Sequence, residues 1–185
     1  MRVLKYAILG LLDKQEMSGY DIMNQFNHNM VHFWSAKHSQ IYPELKKLTQ
    51  EGLIEFRSVS QGNKVLDKKI YSITSKGKQE LQQWLDKLMP LPDTVKDEFM
   101  LKAYFVSSMS KEEVKRQFTN QLRNLQDKIN FLEGRLRELY EEVGENIVSS
   151  SPYFGLYLVL TRAISRDKNY FNWVQDVLNQ IDAEK

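Results

Sequence analysis

The chain has 185 residues, no cysteine and a formal net charge of +2, which excludes disulfides, thiolate metal sites and cysteine nucleophiles and leaves room for one domain or two small ones. No apolar run approaches membrane-spanning length, and the signal-like start MRVLKYAILGLLD lacks a cleavage site, so a cytoplasmic protein without membrane contact is expected. The charge is uneven. Residues 1–90 carry 13 Lys+Arg against 9 Asp+Glu, and stretch 37–78 carries 9 against 4, a concentration that suits a polyanion partner.

Residues 2–12 predict a first helix with a wide apolar face, from Val3, Leu4, Ala7, Ile8, Leu11 and Leu12. Ser18, with Asp21 three residues on, caps a second helix whose buried side reads Ile22, Phe26, Met30 and Phe33. After a break at 35–37, the stretch HSQIYPELKKLTQEGLI predicts a third helix. Ile41, Leu45 and Leu48 make a narrow apolar stripe, and Ser39, Tyr42, Pro43, Lys46, Lys47 and Gln50 cover the other side. Pro43 is placed in the first turn, where its missing N–H costs nothing, and Gly52 closes the helix as a left-handed cap.

Two extended segments follow, 53–59 and 68–74, joined by SQGNKVLD with turn residues Gln61, Gly62 and Asn63. Thr74 or Ser75 caps a further helix running to about Met89. Three helices and a two-stranded hairpin spell a winged helix-turn-helix, with Lys64 at the wing tip beside the third helix. On that reading Ser39, Gln40 and Tyr42 can reach base edges, Lys46 and Lys64 meet phosphates, and Gln61, Gly62 and Asn63 shape the tip. Surface-exposed helices with the same pattern are common, so the third helix alone is more simply a solvated face, and it is the flanking elements that shift the reading.

Pro90 and Pro92 mark a boundary that divides the chain into a DNA-binding domain, 1–90, and a second domain, 91–185. The second domain reads as all helical. Asp97–Ser107 is short and aromatic. Ser110 and Glu113 form a capping box before a long helix with a heptad-like seam through Phe118, Leu122, Leu125, Ile129, Leu132, Leu136 and Leu139. Gly144 to Ser151 breaks it, and a last helix over about 152–182 is apolar nearly all round between Phe154 and Leu160. A helix with two buried faces needs two partners, so this half is expected to build a homodimer, and a two-fold dimer requires a pseudo-palindromic operator. The fold class is mainly α, a winged helix-turn-helix plus a helical dimerisation domain.

No nucleophile elbow, phosphate-binding loop or zincin motif occurs, so neither an enzyme nor a cofactor is expected. His28 and His32 have zinc spacing but no third ligand nearby, and no metal site is assigned.

The blocks MRVLKYAILGLL, SGYDI, FWSAKHSQIYPELKKL, EGLI, YSITSKGK and VKDEFMLKAYF together resemble the PadR family of bacterial transcriptional regulators, over essentially the whole chain. FWSAKHSQIYPELKKL and VKDEFMLKAYF look closest to its phenolic-acid-responsive repressors. The resemblance implies a repressor of a phenolic acid decarboxylase gene, released by p-coumaric or ferulic acid. Some phenolic-acid-responsive members of the family carry a histidine after a Phe-Gly pair like Phe154-Gly155, where this chain has Leu156. The aromatic patches cluster near the boundary of the two halves and read either as core or as an effector pocket. As a pocket, Trp34, Phe99, Phe105, Phe154 and Tyr157 would hold a flat ring, with His38 and Lys102 as its polar partners. Two readings from other classes stay open: a regulator of this family with a different effector or none, and a winged-helix protein-interaction module without DNA binding.

Overall fold

The computed structural model describes residues 2–28, 30–31, 34, 36–59, 68–90 and 96–183. The chain divides into two compact units, Met1–Leu91 and Pro92–Lys185.

The first unit runs α1 (Val3–Lys14), β1 (Met17–Ser18), α2 (Gly19–His28), α3 (His38–Gln50), β2 (Ile54–Val59), β3 (Lys68–Ile73) and α4 (Ser75–Leu85). Its core joins Ile8, Leu9 and Leu12 of α1, Ile22 and Phe26 of α2, Ile41, Leu45 and Leu48 of α3, and Leu53, Ile54, Tyr71 and Leu81. Each such fully buried aliphatic side chain is worth about 1.5–3 kcal/mol in transfer free energy. Tyr6 stacks on Trp84 at 4.7 Å between centroids, and Lys5 meets Glu80 at 2.6 Å, so α4 is fastened to α1 by both apolar and ionic contacts. Phe33, expected on the buried side of α2, lies outside the described residues, and α2 ends earlier than its apolar pattern.

The caps follow the sequence. Asp21 accepts the Ser18 N–H at 3.0 Å while Ser18 Oγ accepts the Asp21 N–H at 3.2 Å. The Ser18 hydrogen bonds, with Lys68 nearby, hold the Asp21 carboxyl below its ordinary pKa. Thr74 Oγ1 accepts from the Gly77 N–H at 3.1 Å and starts α4. Gly52 takes φ +68°, and the chain turns out of α3 directly into β2.

The sheet has a strand that the sequence pattern does not reveal. Its order is β1-β3-β2, all antiparallel, with Met17 opposite Tyr71 and Phe56 opposite Tyr71 on the other side. The expected two-stranded wing is therefore widened by β1, which is two residues long and too short to show any alternation.

The second unit is α5 (Glu98–Tyr104), a single 3-10 turn (Val106–Ser108), α6 (Lys111–Val143) and α7 (Phe154–Ala183). The capping box at Ser110 and Glu113 is present in both directions, and Gly144 ends α6 at φ +83°. The heptad-like seam is the buried side of α6: Phe118, Leu125, Ile129, Leu132 and Leu139 are buried, with Leu122 and Leu136 half-buried. Helices α6 and α7 pair antiparallel. Lys115 meets Asp182, Lys128 meets Asp167 at 2.9 Å, and Glu133 meets Lys168 at 2.6 Å, which sets their register. Two separate clusters result, one around Phe118 and Val174, the other around Leu132 and Leu160. Among the described residues, no helix is long and apolar enough to cross a membrane.

Candidate nucleic-acid interface

The apolar stripe of α3 turns Ile41, Leu45 and Leu48 inward and leaves His38, Ser39, Gln40, Tyr42, Pro43, Lys46, Lys47 and Gln50 exposed. The outward face therefore carries hydroxyl, amide and ammonium groups on a rigid helix, the set that reads base edges and phosphates. Neither Lys46 nor Lys47 takes part in an ion pair among the described residues, so both charges are available to an external anion.

Three details of this face differ from the sequence reading. The helix begins at His38, with Lys37 before it, so Pro43 is the sixth helical residue and not part of the first turn. The cost is one backbone bond, because the Ser39 carbonyl loses its usual donor. Gln40 is half committed: its Oε1 accepts the Lys37 N–H at 3.0 Å and steadies the start of the helix, leaving its amide N–H groups for a ligand. Tyr42 is 40% exposed, and its ring lies 4.6 Å from the His38 ring. It also rests against Gly19, where an added Cβ would come within 2.8 Å of Tyr42 Cε1. Both contacts fix where its hydroxyl points.

The wing strands carry further cations. Arg57 pairs with Glu16 at 2.8 Å, Lys68 approaches Asp21 at 3.5 Å, and Lys69 sits 4.2 Å above the Phe56 ring. The tip residues Gln61, Gly62, Asn63 and Lys64 lie outside the described residues.

Sequence reasoning missed what holds α3 in place. Glu44, on the helix, is buried, and Arg2 donates to it from Nη2 at 2.7 Å and to Glu51 from Nη1 at 2.5 Å. The bonds to Glu51 and Glu44 raise the Arg2 pKa further above its ordinary value, and the Arg2 bond lowers that of Glu51. The partners are 42 and 49 residues apart in sequence, so no local pattern signals them.

The effector candidates fall into separate groups. Trp34 and His38 belong to the first unit, where Trp34 is partly exposed and His38 faces Tyr42. In the second unit, Phe99 packs on Phe118 at 5.0 Å and on Tyr170 at 6.4 Å. Phe99 and Lys102 line a small cleft with Ala103, Val106, Met109, Gln117 and Phe118, with about 10 Å³ of free space. That is room for about one water, against the ~300 Å³ at the lower end of ligand pockets. Phe105 is exposed beside Tyr104, and Lys102 pairs with Glu98 at 2.9 Å. Phe154 and Tyr157 stack on each other at 6.1 Å, and Tyr157 joins the cluster around Leu132. The fourteen residues from Phe118 to Leu132 span about 21 Å of helix, so the two groups of one protomer do not share a pocket.

A helix-turn-helix with a β wing, followed by a long helical hairpin, defines a winged-helix regulator with an attached helical domain. Residues 8–83 match the Transcriptional regulator PadR-like family and residues 95–182 match Virulence activator alpha C-term. The chain is 55% identical over 184 residues to the Negative transcriptional regulator PadR of Bacillus subtilis (strain 168), covering 100% of both proteins. It is similar to the crystal structure of Bacillus subtilis PadR in complex with operator DNA, with TM-score 0.88 and 56% identity over 97% of this chain and 99% of that one. The crystal structure of the same protein in complex with p-coumaric acid gives TM-score 0.87 and 53% identity over 99% and 97%. The structure of the Vibrio cholerae virulence activator AphA gives 0.75 and 26% over 98% and 99%. The chain belongs to the PadR-like family of transcriptional regulators, and it is a regulator, not an enzyme.

Proposed function

We propose that this chain is a cytoplasmic DNA-binding repressor that acts as a homodimer on a pseudo-palindromic operator, represses a phenolic acid decarboxylase gene and is released by phenolic acids such as p-coumaric or ferulic acid. One observation carries the DNA reading: Lys46 and Lys47, without an ion-pair partner among the described residues, stand with Ser39, Gln40 and Tyr42 on the open face of a helix whose other face is buried. The full-length similarity to a protein crystallised with operator DNA and with p-coumaric acid supports the rest.

In this reading residues 1–90 bind DNA and residues 91–185 dimerise and sense the effector. Gln40 and Tyr42 face the bases with Ser39 beside them in the DNA-binding set, Lys46 and Lys64 meet phosphates, and Gln61, Gly62 and Asn63 shape the wing tip. The effector ring lies by Phe99 and Phe105, with its carboxylate on Lys102. That ammonium is now shared with an exposed Glu98, an exchange that costs little. Because α5 has no fully buried residue, it can move to enlarge the cleft. A hundredfold loss of DNA affinity on binding needs about 2.7 kcal/mol of coupling.

Footprinting over the gene's own chromosomal neighbourhood, with and without p-coumarate and ferulate, tests both halves of the proposal. A protected two-fold site that is released by either acid is the expected result. Protection that neither acid relieves at millimolar concentration ends the phenolic reading; where an acid does release the site, calorimetry with Lys102→Ala, Trp34→Ala, His38→Ala, Phe154→Ala and Tyr157→Ala ranks the candidates. Absence of any protected site ends the DNA reading.

A further inference from the structure

Helix α3 is seated on its core by three aliphatic side chains, Ile41, Leu45 and Leu48. Apolar contact is non-directional. Packing seats the helix against the core, and a directional contact is what holds its rotation and its height to within the tolerance of a hydrogen bond.

The directional contact comes from Arg2, immediately before α1. Its Nε and Nη2 donate to Glu44 Oε1 at 3.0 and 2.7 Å, and its Nη1 and Nη2 donate to Glu51 Oε1 and Oε2 at 2.5 and 3.2 Å. Seven residues separate the two carboxylates, so one planar group ties down two turns, about 10.5 Å of helix. The Glu44 side chain is 8% exposed, and a carboxylate so buried is stable only with its partner in place. Lys76 adds a bond from Nζ to the Glu51 carbonyl at 2.8 Å, fixing the far end of the helix to α4.

We infer that Arg2 is a positioning residue for DNA recognition: by holding Glu44 and Glu51 it sets the rotation and height of α3, and so the discrimination between operator and other DNA, without contacting DNA itself. This rests on the DNA-binding reading of α3. Phosphate contacts tolerate small displacements, whereas base-edge hydrogen bonds do not, so losing the hold costs selectivity before it costs general affinity.

The test uses the full chain, a duplex recovered by in vitro selection from a random library with the unaltered protein, and a scrambled duplex of equal length. Arg2→Ala lowers affinity for the selected duplex about tenfold, while affinity for the scrambled duplex and the salt dependence on both stay as they were. Arg2→Lys, a point charge that cannot span both carboxylates, falls between. Arg2→Ala combined with Glu44→Gln and Glu51→Gln separates positioning from stability, since no buried carboxylate is left unpaired. This triple variant regains thermal stability and still fails to discriminate. Discrimination that survives in Arg2→Ala, or that returns with stability in the triple variant, overturns the inference. If the unaltered protein enriches no sequence, the DNA-binding reading itself falls and the inference with it.

Discussion

In Met1–Leu91, short helices and a small sheet close around one core, with ion pairs such as Arg2 with Glu44 and Lys5 with Glu80 tying distant residues together. In Pro92–Lys185, two helices of 33 and 30 residues lie side by side over two separate clusters, and large apolar side chains stay outside. Leu101 is 60% exposed and Phe105 55%, with Leu158 and Trp173 also open. The first unit gathers its apolar side chains into one core and presents a rigid helix face, with Leu85, Leu88 and Met89 left open at its end. The second leaves apolar surface for another molecule to cover, as the proposed dimer does.

That contrast predicts where stability depends on protein concentration. Leu132→Ala empties a fully buried position between α6 and α7 and should cost about 2–5 kcal/mol. The loss should be read as a melting temperature that rises with protein concentration, because dimerisation and folding of this half are linked. A melting temperature indifferent to concentration would break the contrast.

Gly77→Ala is the matching insult to the first unit. An added Cβ would sit 2.1 Å from the Leu53 carbonyl oxygen and 2.8 Å from Ile73 Cγ1. Since a backbone oxygen cannot step aside, the cost should be about 3 kcal/mol, independent of concentration. Thermal melts of the two variants side by side decide the point.

A buried acid sharpens the comparison through pH. Asp167 is 3% exposed between Arg166 at 2.7 Å and Lys128 at 2.9 Å. Burial raises its pKa, but the Arg166 and Lys128 bonds outweigh that and the folded value lies below the ordinary 3.8. A lowered carboxylate contributes stability that is full above pH 3.8 and is lost as pH falls through the folded value. Asp167→Asn should therefore cost about 1–2 kcal/mol at neutral pH and flatten the acid limb of urea stability measured from pH 5 to 2. An unchanged acid limb would remove Asp167 from the account.

The smallest effect is at a cap. Thr74→Ala removes the acceptor for the Gly77 N–H and the donor to Gly52 and Leu53 carbonyls, and should cost about 1 kcal/mol by denaturant melt, again without concentration dependence.

Most local chemistry was legible in the sequence. Ser18 with Asp21, Thr74, Ser110 with Glu113, Gly52 and Gly144 all act where their residue types said they would, because a cap is a contact within four residues. The open face of α3 was legible for the same reason, as its period is a local property. The hold of Arg2 on Glu44 was not, since it joins residues 42 apart, and Glu44 reads as one more surface acid. Strand β1 was too short to carry a period. Nothing in the sequence signalled that Phe99 and Phe154 lie toward opposite ends of α6, because proximity to a domain boundary says nothing of the distance that a long helix sets. Pro43 was assigned to the first turn although the helix starts at His38, where the pattern puts it, which makes Pro43 the sixth helical residue.

The sheet order β1-β3-β2 has a consequence for solubility. β3 is the middle strand, partnered on both sides where β1 reaches it, so the long free edge of the sheet belongs to β2. A free edge is a template on which another chain can add a strand and start an aggregate. Here that edge carries Glu55 and Arg57, and the strand is exposed along Glu55–Ser58. A passing strand must settle beside the Glu55 carboxylate and the Arg57–Glu16 pair, which disfavours a further strand on the three of the described residues.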